Sequence, residues 1–140
     1  MGRKTKKLKR EKTHWGTKPL YVIATEGAVT EKIYFNSIFR RKNIRMPVLA
    51  TKSGDSSPDK VIKRLNKYRK DYDASPSEMW LVIDRDYWEL DVLKNISLEC
   101  KVKGYNLIIS NPCFELWLLL HQKAPKQPLT VSACQKELKN

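Results

Sequence analysis

Four stretches of the chain are apolar without alternating: LYVIAT (20–25), MPVLATK (46–52), MWLVID (79–84) and YNLIIS (105–110). Short runs of this kind, rich in β-branched and aromatic residues, predict strands buried on both faces. Between them the apolar positions recur at helical spacing. EGAVTEKIYFNSIFRRKN predicts a helix from Val29, with Ile33, Tyr34, Ile38 and Phe39 inward and Arg40, Arg41 and Lys42 in its last turn. Pro58 suits the first turn of a second helix capped by Ser57. That helix buries Val61, Ile62, Leu65 and Tyr68 and sets Lys60, Lys63, Arg64 and Lys67 along its opposite face. Trp88 to Lys103 predicts a third helix, with Val92, Leu93, Ile96 and Cys100 inward and Gly104 as C-cap. NPCFELWLLLH predicts a fourth, with Asn111 as N-cap, Pro112 at its first position, Phe114, Trp117 and the leucines between them in the core, and His121 at its end. The remaining QKAPKQPLTVSACQKELKN holds two prolines and no strand, and starts a fifth helix near Thr130.

The order β-α-β-α-β-α-β-α with non-alternating strands predicts an α/β fold, a four-stranded parallel sheet flanked by helices. Residues 1–18 lack apolar periodicity and are expected to be a flexible basic arm; 19–122 form the domain and 123–140 a further region. The length of 140 residues suits one domain, and 41% apolar with 31% charged residues suits a globular one. No apolar run approaches the roughly 20 residues of a membrane helix, and no apolar segment follows the basic terminus as a secretion signal requires. Three dispersed cysteines, Cys100, Cys113 and Cys134, form no zinc pattern and suit a reducing, cytoplasmic setting.

Charge sharpens the picture. The chain carries a formal +13; its first 18 residues hold eight Lys/Arg against one Glu, and the rest is still +6. Such a chain attracts polyanions by counterion release, so DNA or RNA is the expected partner. Against that background, carboxylates gather where ligands bind a parallel sheet, beyond the carboxyl ends of its strands. Glu26-Gly27 follows the first strand, Asp84-Arg85-Asp86 ends the third, and Ser110-Asn111 with Glu115 follows the fourth. If the first and third strands are neighbours, Glu26, Asp84 and Asp86 share one edge. Three such carboxylates either raise a pKa or take up a cation, and an all-oxygen set suits Mg²⁺ or Mn²⁺. Asp86 can instead cap the third helix, or do both.

The neighbouring residues have two readings each. Thr30 and Glu31 either cap the first helix or support the acidic set. Glu115 either satisfies its own helix's amides or adds a fourth carboxylate. Asn111 is a cap, or an amide that orients a carboxylate. The Lys60, Lys63, Arg64, Lys67 stripe, with Arg40 and Arg41, is either a solvated face or a phosphate-contact surface. Arg85 should point away from the two aspartates, and Trp88 follows the motif closely enough to border the cleft. One histidine in the domain leaves no room for a histidine-based nuclease, and no Ser-His-Asp or Cys-His set stands out.

Glu after the first strand and DxD after the third resemble the Toprim domain of primases, topoisomerases and OLD-type nucleases. YVIATEGAVTEKIYF, LVIDRDYWE and ISNPCFELWLLLH more closely resemble the RloB-like proteins, a Toprim-related family linked to bacterial restriction and abortive-infection loci. The resemblance covers residues 19–122 and implies a Toprim-like Rossmannoid fold. It also implies Glu26 as general acid/base, Asp84 and Asp86 as Mg²⁺ ligands, and accessory places for Glu31 and Glu115. Members of the family usually continue further, so 123–140 is expected to begin a carboxyl-terminal region cut short here. The resulting expectation is a Mg²⁺-dependent phosphodiesterase, a nuclease of anti-phage defence. The alternative is a non-catalytic module that binds nucleic acid or a partner and works with an associated ATPase. A second copy of the chain is a further candidate partner, and a membrane is not one.

Overall fold

Four parallel strands lie in the order β2-β1-β3-β4: β1 (Val22–Thr25), β2 (Val48–Leu49), β3 (Met79–Asp84) and β4 (Asn106–Ser110). The computed structural model describes residues 18–40, 42–52, 54–85, 87–127 and 129–139. The basic arm expected over 1–18 therefore lies outside the described residues up to position 17, and so do Arg41 and Asp86. The helices are α1 (Thr30–Phe39), α2 (Pro58–Tyr72), α3 (Leu90–Lys103), α4 (Glu115–Leu120) and α5 (Val131–Leu138). Among the described residues, no helix is long and apolar enough to cross a membrane.

The predicted α/β architecture is present, because apolar side chains leave both faces of the sheet. Val22, Ala24, Met79, Leu81 and Ile83 point to one face and join Val61, Ile62 and Leu65 of α2 and Leu93, Ile96 and Cys100 of α3. Ile23, Trp80, Val82 and Ile108 point to the other and meet Tyr34 and Phe35 of α1 and Phe114 and Leu118 beside and within α4. Cys113, Leu119 and Cys134 form a third cluster that docks α5 on α4. Each fully buried side chain of Val, Leu or Ile size contributes about 1.5–3 kcal/mol. This is why the strand interiors, which fill both clusters, are legible as unbroken apolar runs.

Several sequence expectations need correction. α1 turns inward on Tyr34 and Phe35 together with the buried Glu31, while Ile33 is 60% and Ile38 40% exposed. Its apolar pattern misleads because a carboxylate occupies one of its inner positions. α1 also ends at Phe39, so Arg40 is its C-cap and its last turn holds no basic residue. β2 is shorter than 46–52 because Pro47 brings no N–H; its carbonyl accepts from Ile23 N (3.1 Å), and the ladder continues upstream through Tyr21 N to Arg45 O (2.8 Å). Ser57 is the N-cap of α2, as expected, but it caps through its carbonyl, which accepts from Lys60 N (2.9 Å) and Val61 N (3.0 Å), and its side chain makes no cap bond. Val92 is exposed rather than inward. Asn111 is not the cap of α4; Phe114 holds that position, after a cis Asn111-Pro112 bond and after Cys113 and Phe114 have entered separate clusters. Trp117 leaves the core and is 44% exposed, its indole donating to Ser110 Oγ (3.1 Å). Gly104 is the C-cap of α3, at φ +74°, as expected, and Thr130 caps α5 by accepting from Ala133 N (3.2 Å).

One member of the α2 cationic stripe turns inward. The Arg64 guanidinium donates to Thr25 O (2.6 Å), Thr51 Oγ1 (2.8 Å) and Asp55 O (3.0 Å), bracing the end of β1 against the loop after β2. Its Nε is buried without a partner, which offsets part of that gain. Removing these bonds takes a charged donor from the buried Thr25 carbonyl and leaves it the Thr51 hydroxyl (3.1 Å). Arg64→Met, which keeps the apolar stem, should lower unfolding free energy in urea by about 1–3 kcal/mol. Lys63→Met, which breaks only an exposed pair with Asp59 (3.7 Å), should cost less than about 0.5 kcal/mol. Equal effects would remove the bracing role.

Candidate functional site

Strand order reverses between β1 and β3, since the chain leaves β1 for β2 on one side and β3 for β4 on the other. The crevice at such a switch point is where open parallel sheets bind ligands. A cleft of about 500 Å³ opens there, and Glu26, Glu31, Asp84 and Glu115 line it with Tyr87 and Trp88. The first and third strands are thus neighbours, the condition on which the acidic set depends.

Glu26 is fixed by the strand register. β1 pairs with β3 up to Thr25 and Val82, and Glu26 N still donates to Val82 O (3.0 Å). β3 then runs on to Asp84 paired with β4 alone, and the Asp84 N–H faces the side that β1 has left. The Glu26 carboxylate takes the place of the missing strand: Oε2 accepts from Asp84 N (2.9 Å) and Oε1 from Trp88 Nε1 (2.8 Å). Burial raises the Glu26 pKa, and these two donors oppose the rise.

Asp84 is 8% exposed, and its pKa is pushed up to about 7. Burial is the main cause, followed by the charges of Glu26, Glu31 and Glu115; a backbone hydrogen bond from Phe114 opposes them. Through that bond the NPCF stretch folds the start of α4 over the Asp84 carboxylate.

Glu31 sits in the first turn of α1, and its carboxylate lies against Gly27. A Cβ on that glycine would fall 1.7 Å from Glu31 Oε2. Burial raises the Glu31 pKa, with backbone bonds from Glu31 itself and Gly27 working against it and the Glu115 and Glu26 charges adding to it. The spacing from Gly27 to Glu31 in EGAVTE therefore records a close approach, where the sequence alone suggests no more than a turn. Tyr87 carries no sequence signal of its own. It is 57% exposed at the mouth, and its hydroxyl is held protonated by burial and the surrounding carboxylates. Trp88 borders the cleft as expected, and it does so by gripping Glu26.

The other predicted residues fall elsewhere. Asp86 and Arg41 lie outside the described residues. Asn111 is exposed and lies before α4 without lining the cleft. Lys60 pairs with Asp55 (3.3 Å), Lys63 with Asp59 (3.7 Å) and Lys67 with Asp71 (2.8 Å) on the α2 surface, and Arg40 is exposed at the end of α1. His121 ends α4, as expected, and its Nε2 lies 2.8 Å from the Tyr34 hydroxyl.

The donor set is all oxygen, which suits a hard divalent cation and not zinc. Among the described residues no three His, Cys, Asp or Glu side chains are grouped to hold a metal ion. Mg²⁺ needs no such cage, because it usually keeps several waters and takes one or two carboxylates. The donors present fit it on those terms.

The raised Asp84 pKa has a consequence for stability in metal-free buffer. A carboxyl that binds its proton more tightly folded than unfolded contributes stability below its unfolded pKa and loses it as pH rises through about 7. Asp84→Asn should therefore gain on the parent protein between pH 5 and pH 8. With the cleft open to water, that gain should be about 1–2 kcal/mol. Urea unfolding with EDTA at the two pH values reads it; a difference that does not change with pH would show Asp84 titrating as an ordinary aspartate.

No curated protein and no solved structure matches the chain. Residues 21–140 match the family model described as RloB-like protein, a region that includes α5 as well as the four-stranded unit. With that match over nearly its whole length, and the acidic cleft at its strand switch point, the chain belongs to the RloB-like protein family.

Proposed function

We propose that the chain is a metal-dependent phosphodiesterase acting on nucleic acid, of the kind used against phage. One observation carries the reading: four carboxylates share a cleft at the strand switch point of a strongly basic protein, and their repulsion helps burial lift Asp84 to about 7. A fold gains no stability from such an arrangement, so its persistence is best explained by a cation and a phosphate that the cleft receives.

Asp84, together with Asp86, would hold Mg²⁺ or Mn²⁺. Such an ion supplies charge neutralisation at the phosphate and activation of water at neutral pH. Glu26 stands beside Asp84 with its carboxylate held by two donors, oriented to take a proton and return it. Trp88 keeps that carboxylate from swinging away, and Gly27 leaves room for Glu31 to lie alongside. The surrounding lysines and arginines would draw in the polyanion.

The rival reading is a non-catalytic module that works with an associated ATPase. The engagement of both Glu26 oxygens by Asp84 N and Trp88 Nε1 favours it, since that carboxylate already completes the sheet.

The deciding experiment incubates the protein with plasmid, single-stranded DNA and total tRNA, in Mg²⁺, Mn²⁺ or EDTA. Cleavage should require the cation. It should fall about 10²–10⁴-fold in Glu26→Gln and be abolished in Asp84→Asn/Asp86→Asn, with circular dichroism confirming the fold. Cleavage that survives in the double variant, or in EDTA, would sink the assignment; its absence throughout would leave the binding-module reading.

A further inference from the structure

We infer that a second cleft, along the outer edge of β2, is the track on which a single-stranded nucleic acid lies on its way to the acidic site. For what happens at the end of the track this rests on the phosphodiesterase reading; the binding itself does not.

The cleft has a volume of about 660 Å³ and runs from the end of β1 past β2 and along α2. Ala28 lines both it and the acidic cleft, so the two adjoin at that residue. Three features point to the ligand. Lys32 and Lys52 line the cleft, are exposed, and pair with no carboxylate among the described residues. Lys67 adds a third cation, partly neutralised by Asp71, while Arg64 is turned inward and Asp55 holds Lys60. The cleft is therefore cationic after its own two aspartates are counted.

The second feature is aromatic. Tyr72 is 69% exposed at the far end, and its ring rests on Tyr68 with centroids 4.5 Å apart and planes 33° apart. Tyr68 packs in turn against the core. An isolated exposed tyrosine needs no explanation. One braced from behind by a partly buried neighbour, beside unpaired lysines, is a rigid platform for a nucleobase. Only an unpaired base offers its face for stacking, so the platform selects single strands over duplex.

The third feature is length. From Arg64 to Tyr72 is about 12 Å along α2 at about 1.5 Å per residue. That spans roughly three or four nucleotides at about 3.4 Å each. A strand stacked on Tyr72 with its phosphates on Lys32 and Lys52 would thus bring a phosphodiester within a few nucleotides of Ala28 and the carboxylates beyond it. RNA and DNA share the chemistry this track reads, namely a phosphate backbone and a free base face.

The test is fluorescence anisotropy in EDTA, with labelled single-stranded RNA, single-stranded DNA and a blunt DNA duplex of the same sequence, each about 12 nucleotides long to cover the track with a margin, over a salt series. The protein should bind a single strand more tightly than the duplex, and whichever of RNA and DNA binds better names the sugar. Tyr72→Ala should weaken single-strand binding about five- to tenfold with the salt slope unchanged, and Tyr72→Phe should restore it. Lys32→Gln/Lys52→Gln should lower the slope of log K against log salt by about 1.4, or about 0.7 per phosphate. All three side chains are exposed, so the variants should fold as the parent does. Equal binding of the duplex, or parent-like binding by Tyr72→Ala or by the lysine pair, would overturn the track. Because the assay contains no metal, its result is separate from the cleavage result: a track that binds while cleavage fails loses only the chemistry, and cleavage with an indifferent track means the strand enters elsewhere.

Discussion

The site depends on a rung of the sheet made by a side chain. β3 outruns β1, and its last amide on that side, Asp84 N, would be left without a strand partner there, although β4 still pairs on the other side. The Glu26 carboxylate accepts that hydrogen and so extends the ladder by one residue. Buried amides are almost always paired, so this is a structural demand that glutamate happens to meet with a charged group. The result is a carboxylate anchored to the main chain of the strand carrying the next carboxylate. Everything else in the cleft is arranged around that pair: Trp88 closes on the free oxygen of Glu26, Phe114 donates to Asp84, and Gly27 stays bare so that Glu31 can approach.

The same arrangement explains the charge distribution of the chain. The charges of Glu26, Glu31 and Glu115 add to burial in raising the Asp84 pKa, because Asp84 is deeply buried and faces all three. Lysine pairs could have neutralised the cluster, yet the salt bridges among the described residues lie on the outer surface and none reaches the cleft. Positive charge is abundant at +13 overall, and among the described residues no lysine or arginine lines the acidic pocket.

The fold is largely legible in the sequence because strand burial on two faces leaves unbroken apolar runs, and Pro58 and Gly104 mark helix ends by backbone geometry alone. The site is legible in part. Glu26 and Asp84 can be placed at one sheet edge from their positions after two strands. Their hydrogen bonds cannot, because those depend on how far β3 outruns β1. The rotation of α1 escapes for a related reason: hydrophobic periodicity ignores a buried Glu31 and sends Ile33 and Ile38 inward in its stead. The cationic stripe of α2 looks uniform in sequence, yet Arg64 differs from its neighbours through a partner, Thr25 O, that lies 39 residues away.

That last bond ties the two clefts together. Arg64 holds the carbonyl of Thr25, and the next residue is Glu26; Thr51 reinforces the same carbonyl (3.1 Å) and donates its own amide to Gly27 O (3.2 Å). The end of β1 is thus clamped from the α2 side by a network lining the basic cleft, and from the β3 side by the carboxylate rung. A shift of Thr51 would pull on Thr25 and Gly27 at once, and through them on both Glu26 and the space that Glu31 occupies. Coupling of this kind needs no long pathway, only a shared stretch of backbone between two sites. A ligand seated against Thr51 and Lys52 would therefore rest on the residues that hold Thr25 and Gly27, the two neighbours of Glu26.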